Sequence, residues 1–252
     1  MKIDTTQPHV GRIYDYVLGG HHNYEADRKA AEQILKVAPA YPKWARLNRW
    51  FLQLVGQTWA EEARARVLDV ASGLPTQGHF DEYLPQAKIL FSDIDPVSVT
   101  YGQQILEARP NMKYAQADLR APAALLAEAA GFFGAERQIA VGAIGILYLL
   151  PDAEVRRLMA DLHAFCAPGS VLAFSFMHLP EGPNAAATLA DVRKGAELAR
   201  VTLYVRGAEE MAELIKPWRL RVHRNAEEWL DVREMLTERD LEMHVVGALA
   251  DH

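Results

Sequence analysis

The chain is poor in cysteine, in net positive charge and in long apolar runs, and each shortage closes off a class of protein. Cys166 is the single cysteine in 252 residues. It allows neither an internal disulfide nor a cysteine-built metal cluster, and it fits a reducing compartment. Acids outnumber Lys and Arg by 33 to 27, a formal net charge of −6. Nucleic-acid and membrane-surface binding call for a basic face, so both are disfavoured. The most apolar window, residues 140–150, falls short of the ~20 residues that cross a bilayer and reads as a buried strand. The first seven residues are polar where a secretion signal needs an apolar core. The expectation is a soluble, cytoplasmic protein. Also missing is the Gly-x-Gly-x-x-Gly fingerprint of a dinucleotide-binding turn: Ala71 and Pro75 stand where glycines would be, so a pyrophosphate would be poorly cradled.

What is present is an ordinary globular composition, 50% apolar and 24% charged, with no low-complexity tract. The length suits one large domain. We expect a single domain over residues 1–252, with a helical lid (8–66) ahead of the core (67–252). Val10, Ile13, Val17 and Leu18 recur at helical spacing until Gly19-Gly20 stops them. A second helix runs from about Glu25 until Pro39 and Pro42, and a third from Lys43 to about Ala65, with Trp44, Trp50 and Trp59 as packing residues. Preceding the first strand, these helices can cover its carboxyl end.

In the core, the apolar stretch 67–70 breaks at Ala71-Ser72-Gly73 and enters a helix, with Pro75 suited to its first position. Strands are expected at 88–92, 112–116, 139–144 and 170–177, alternating with helices at about 96–108, 122–133 and 152–165, the last capped by Asp152. A long helix from about Ala185 leads to the run 201–205, and a helix at 208–214 and strands at 219–223 and 242–248 complete the chain; 225–240 is helical or loop. Strand–helix alternation predicts an α/β, doubly wound parallel sheet with helices on both faces. Continuously apolar strands such as Val171-Leu172-Ala173-Phe174 predict burial on both sides.

Open α/β sheets bind ligands beyond the carboxyl ends of their strands. There lie residues 69–73, Asp93, Asp118, 142–148 and 175–178. Small residues at Ser72-Gly73 let backbone approach a ligand closely, and one such approach suffices for an adenosine without a pyrophosphate. Asp93 follows Gly73 by 20 residues, the ~20-residue offset at which an acid meets a ribose hydroxyl. An acid after the third strand, Asp118, can accept a hydrogen from adenine's amino group. Asp95 and Asp118 read equally well as helix N-caps.

Val67-Leu68-Asp69-Val70-Ala71-Ser72-Gly73, Asp93, Asp118 and Gly145-Ile146-Leu147-Tyr148-Leu149-Leu150-Pro151-Asp152 resemble the Rossmann-type S-adenosylmethionine-dependent methyltransferases. More narrowly, Arg12-Ile13-Tyr14-Asp15-Tyr16-Val17-Leu18-Gly19-Gly20, Asn23-Tyr24, Asp27-Arg28, Asn48-Arg49, Gly73-Leu74-Pro75-Thr76 and Arg206-x-x-Glu209-Glu210 resemble one bacterial lineage within them, mostly of unassigned substrate. The likeness runs over nearly the whole chain. It implies a Rossmann-like, mostly parallel seven-stranded sheet with a reversed last strand, and S-adenosyl-L-methionine as cofactor across the strand ends. It further implies that Ala71, Ser72 and Gly73 contact the methionine and ribose part, with Asp69 beneath them. Asp93 would hold the ribose and Ile94 would pack on adenine, bordered by Asp118 and Leu119. Ile144 and Gly145 would line the sulfonium, with Tyr14 closing over it from the lid. The chain departs from the lineage at Ala71, usually glycine, and at Ser175-Phe176-Met177-His178, which lacks an adjacent Ser-His pair.

Methyl transfer from a sulfonium is an in-line displacement, so the protein mainly aligns donor and acceptor and excludes water. Aromatic faces favour the positive sulfur, which makes Tyr14, Tyr16 and Tyr148 its candidate surroundings; Tyr148 reads equally as a packed aromatic. His178 could take a proton from an acceptor, or be structural. Arg12 or Arg49 could pair with the methionine carboxylate, or tie the lid to Asp15 or Asp27. His9, His21 and His22 make no metal site, since adjacent histidines point apart and no cysteine or spaced carboxylate joins them. The expected function is methyl transfer from S-adenosylmethionine to a small molecule, with no nucleic-acid or membrane partner. Two alternatives remain: attack at another carbon, intramolecular or releasing methylthioadenosine, and a non-catalytic S-adenosylmethionine sensor.

Overall fold

Seven strands form one sheet, whose inner strands are apolar runs covered on both faces, whereas the edge strand 219–225 is polar and largely exposed. The computed structural model describes residues 4–74 and 78–252, so the expected helix start at Pro75 lies outside the described residues. Helices α1 (Val10–Val17), α2 (Glu25–Val37) and α3 (Tyr41–Glu61) precede β1 (Arg66–Asp69) and the short α4 (Phe80–Tyr83). There follow β2 (Lys88–Asp93), α5 (Pro96–Leu106), β3 (Met112–Gln116), α6 (Ala123–Phe133), β4 (Ala140–Ala143), α7 (Asp152–Phe165) and β5 (Val171–His178). The chain closes with α8 (Ala185–Leu198), α9 (Ala208–Leu214), β6 (Arg219–Asn225), α10 (Ala226–Trp229) and β7 (His244–Asp251).

The strand order is β3-β2-β1-β4-β5-β7-β6. Strands β1 to β5 pair in parallel, whereas β7 runs antiparallel between β5 and β6. This is the mostly parallel seven-stranded sheet with a reversed last strand. Neighbouring β1 and β4 leave the sheet towards opposite edges, which opens a crevice at their carboxyl ends. On one face Leu68, Leu90, Val141 and Leu172 pack under α6, α7 and α9; on the other Val67, Ile89 and Ala173 pack with Phe51, Trp59 and Phe80. Each such fully buried aliphatic contributes roughly 1.5–3 kcal/mol.

The lid has its own cluster, in which Ile13, Ile34, Trp44 and Leu47 meet Met177 of β5 and Val245 of β7. Buried Arg12 clasps it to the core, with Nε 2.9 Å from Asp27 on α2 and a terminal nitrogen 3.4 Å from Asp95 at the start of α5. Trp44 adds an indole hydrogen bond of 2.7 Å to the Asp240 carbonyl. Among the described residues no helix is long and apolar enough to cross a membrane.

In the run 201–205, Val205 makes one parallel bridge to Met177, and the Tyr204 N–H donates to the Tyr148 carbonyl (2.8 Å). Two local expectations are corrected. Pro151, not Asp152, occupies the N-cap of α7, because the Asp152 carboxylate is engaged by Arg206. Pro42 does not end a helix but sits in the first turn of α3, where a missing N–H leaves no bond unmade.

Candidate functional site

The exit of β1 is a tight turn built from small residues. Ala71 takes φ +54° and Gly73 φ +67°, the left-handed region that glycine enters freely and alanine at a cost of roughly 1–2 kcal/mol. Ser72 anchors the turn to β2: its N–H donates to the Ser92 carbonyl (2.8 Å) and its hydroxyl to the Asp69 carbonyl (3.0 Å). The Gly73 N–H donates to Asp93 Oδ2 (2.9 Å), and the Tyr114 hydroxyl donates to the Gly73 carbonyl. Asp93 also accepts the Asp95 N–H at 2.8 Å. Burial raises the pKa of its carboxyl, and these two N–H groups draw it back down. A Cβ on Gly73 would meet nothing within 4 Å; the backbone there faces open space.

Beneath this turn, buried Asp69 has its carboxyl pushed up to about 7 by burial, against a partial pull from Arg49. Its Oδ2 has no hydrogen-bond partner among the described residues, and His79, 4.0 Å away, has none at either ring nitrogen. Burial holds the His79 imidazole well below its usual range, hence neutral.

At the exit of β4, Gly145 (φ +86°) donates its N–H to Ser175 Oγ (2.8 Å), whose own proton goes to Asn48 Oδ1 on α3 (2.6 Å). Asn48 Nδ2 reaches the Tyr14 hydroxyl at 3.4 Å, and that hydroxyl donates to the Ala45 carbonyl at 2.9 Å. A Cβ on Gly145 would come within 2.9 Å of Asn48 Nδ2, so glycine is what permits the lid to seat here. The Arg49 guanidinium stands over the Tyr14 ring, 5.7 Å from its centre.

These two exits and the lid enclose a cleft of about 870 Å³. Of the residues singled out in the sequence, Tyr14, Ala71, Ser72, Gly73, Asp93 and Ile94 line it, as do Ile144, Gly145 and Tyr148. Ile94 and Ile105, 44% and 41% exposed, are large apolar side chains left open at its rim. Asp69 lies below the wall rather than in it.

Five residues are brought elsewhere, the first being Tyr16, which packs against the lid's own cluster. Arg12 makes no part of the wall, because Asp27, Asp95 and the Gln7 carbonyl take its guanidinium; Arg49 lines the cleft instead. Asp118 folds back onto Arg120, with contacts of 2.9 and 2.7 Å, and does not cap α6, whose N-cap is Pro122. Leu119 is buried in the core beside Leu125 and Leu147. His178 lies outside the wall, with Nδ1 3.3 Å from the Arg206 carbonyl. Asp95 is the N-cap of α5. The role of Asn48 is carried in the sequence only by its place beside Arg49 in a motif; the wall contributed by α8, including Val192 and Gly195, leaves no sequence signal.

A cleft at the switch point of a β3-β2-β1-β4-β5-β7-β6 sheet, with an acid after β2 and a small-residue turn after β1, defines a class I, Rossmann-like methyltransferase fold. The chain belongs to the S-adenosyl methyltransferase family, whose family model matches residues 1–250. It is a transferase that uses S-adenosylmethionine. A solved Thermobifida fusca YX protein, described as a candidate methyltransferase, is 26% identical over 98% of this chain and 96% of its own, with a TM-score of 0.87. A DUF574 family protein from Streptomyces avermitilis MA-4680 is 24% identical, covers 99% of both chains and has a TM-score of 0.87. The 1,6-didemethyltoxoflavin-N1-methyltransferase of Burkholderia thailandensis, solved with 1,6-didemethyltoxoflavin and S-adenosylhomocysteine, is 13% identical over 79% of this chain and 77% of its own, with a TM-score of 0.50. No curated protein matches the chain.

Proposed function

We propose that this methyltransferase acts on a small molecule enclosed with S-adenosylmethionine in the cleft beneath the lid. The observation that carries the reading is the cleft itself, about 870 Å³ and walled on one side by the strand ends and on the other by α1 and α3. Pockets that bury drug-sized ligands run from about 300 to about 1,000 Å³, so a second small molecule fits beside the first, whereas a macromolecule would have to displace the lid. The Burkholderia enzyme of the same fold, with its bound heterocycle, is in keeping with this.

The residues present suit the adenosyl sulfonium. Open space at Gly73 admits ligand atoms to the backbone, and the exposed side chain of Ile94 offers an apolar face to adenine. In this reading Asp93 accepts hydroxyl hydrogen bonds from the ribose, Arg49 meets the methionine carboxylate, and Tyr14 with Gly145 borders the sulfur. Aromatic faces favour a cation, and Tyr14 already carries Arg49 over its ring. The bound cofactor supplies a methyl group activated by the positive sulfur. The chain's own part is to orient, to exclude water and to keep the methyl in line with the acceptor. A cytoplasmic setting belongs to the same proposal and rests on the single buried thiol, Cys166.

Calorimetry with S-adenosylhomocysteine, followed by product analysis on turnover, tests the reading. Saturable binding and S-adenosylhomocysteine as product are expected. Release of methylthioadenosine, or unchanged S-adenosylmethionine in the presence of every acceptor pool tried, would overturn it.

A further inference from the structure

We propose that the end of the cleft remote from Ser72 and Gly73 is the acceptor subsite, and that it takes an uncharged, largely apolar molecule whose single hydroxyl is held by the phenol of Tyr148. The proposal rests on the methyl-transfer reading above and adds the chemical class of the acceptor.

The cleft has two chemically different ends. Around the strand exits its wall carries Ser72, Asp93, Asn48 and Arg49. At the far end, α2 contributes Ile34, β5 Met177, β7 Val245, and α8 Val192, Gly195 and Ala196. Not one of these is polar, and the loop after α8 adds only Val201 and Leu203. An ionised acceptor placed there would lose its water without gaining a counter-ion, which is strongly unfavourable. The space exists because residues on α8 that face α2 are small. Gly195, Ala196 and Ala199 border this end without filling it, and even a Cβ on Gly195 would stand only in ordinary contact, 3.5 Å, with Ile34 Cγ2.

Two polar groups interrupt this apolar end, the hydroxyls of Tyr41 and Tyr148. Neither has a hydrogen-bond partner among the described residues, although buried phenols ordinarily find one. Both side chains keep some surface, and that surface faces the cleft. Tyr148 is the one next to the reacting end: its hydroxyl would be 3.7 Å from a Cβ on Gly145. Burial raises its pKa well above the ordinary value, so it meets the acceptor as a neutral hydroxyl, able both to donate and to accept.

Tyr148 is also held rigidly. It sits in the 3₁₀ turn Leu147–Leu149, whose flanking carbonyls, Leu147 and Leu150, accept from the buried Arg206 guanidinium at 2.8 and 2.6 Å. Residues 201–206 thus close the end of the cleft and fasten the tyrosine at once. In the step implied, a lone pair of the acceptor oxygen forms the new O–C bond and the C–S bond breaks with its pair left on sulfur. Tyr148 holds the acceptor oxygen by a hydrogen bond while the hydroxyl proton is released to bulk solvent, so the products are a methyl ether, a neutral thioether and one proton.

The test is calorimetry on the full chain saturated with S-adenosylhomocysteine, using 2-naphthol and 2-naphthoate as probes. 2-Naphthol should bind saturably and at least about tenfold more tightly than the carboxylate, the discrimination expected of a site that cannot pair a buried charge. Tyr148→Phe should weaken 2-naphthol about fivefold or more, and Ala196→Trp, which fills the apolar end, should abolish it while S-adenosylhomocysteine still binds. Absent 2-naphthol binding, equal or tighter binding of 2-naphthoate, or 2-naphthol binding that survives both substitutions would overturn the proposal. Failure of S-adenosylhomocysteine to bind the unmodified chain would instead remove the reading of the whole cleft, and the subsite with it.

Discussion

Ser175 Oγ donates a hydrogen bond of 2.6 Å to Asn48 Oδ1, across 127 positions of sequence. Because the same oxygen accepts the Gly145 N–H, one short network joins β5, the exit of β4 and the lid helix α3.

Asn48→Ala should therefore cost about 1–3 kcal/mol, the scale for orphaning buried polar partners. Affinity for S-adenosylhomocysteine should fall as well, since the lid loses its seat. Urea unfolding with and without ligand measures both. The double variant with Ser175→Ala should be less damaging than the two single costs added, by about 0.5 kcal/mol or more; strict additivity would show that the contact carries no coupling.

Asp93→Ala should weaken S-adenosylhomocysteine binding by at least about 1 kcal/mol. It also strips the Gly73 and Asp95 N–H groups of their acceptor, so the unliganded protein should melt lower. Calorimetry at a temperature where the variant is folded separates the two effects, and unchanged affinity there would remove the ribose role.

Asp69 imposes a pH dependence whose sign follows from its raised pKa of about 7. Between an unfolded value near 3.8 and about 7 the folded chain holds the extra proton, so stability falls as pH rises through that window and is flat above it. Asp69→Asn removes the term. Relative to the unmodified chain, the variant should gain stability between pH 5 and pH 8, by on the order of 1–3 kcal/mol. Thermal unfolding at both pH values reads this; an identical difference at the two would show that Asp69 is ionised in the fold throughout.

Arg206→Lys should cost about 1–3 kcal/mol, because one ammonium cannot reproduce a fork that serves the Leu147 and Leu150 carbonyls and Asp152 together. Methyl transfer should fall further than S-adenosylhomocysteine affinity, since the turn bearing Tyr148 loosens while the Gly73 turn does not. Parallel loss of both in calorimetry and turnover would argue for general unfolding instead.

Much of the site was readable from local chemistry. Ser72-Gly73 after a buried strand, and Asp93 twenty residues on, follow from rules acting within one βαβ unit. What failed to read was the direction of side chains that local rules leave open. Arg12 and Arg49 are both lid arginines near acids, yet Arg12 is drawn inward by Asp27 and Asp95 while Arg49 reaches the cleft. Asp118 stands at a strand end like Asp93, but Arg120, two residues later, captures it. The run 201–205 carried no local assignment, and its backbone is placed by tertiary contacts with Tyr148 and Met177.

By itself, then, the sequence determined the alternation of strands and helices, the small-residue turn at Ser72-Gly73 and the acid at Asp93, because hydrophobic periodicity and turn sterics act between residues close in the chain. The cleft's apolar end, the assignment of Arg49 rather than Arg12 to its wall, and the Asn48–Ser175–Gly145 seat of the lid were decided only by the tertiary structure. They depend on which surfaces of α2, α3 and α8 are left facing one another once the sheet is buried, and no local pattern records that choice.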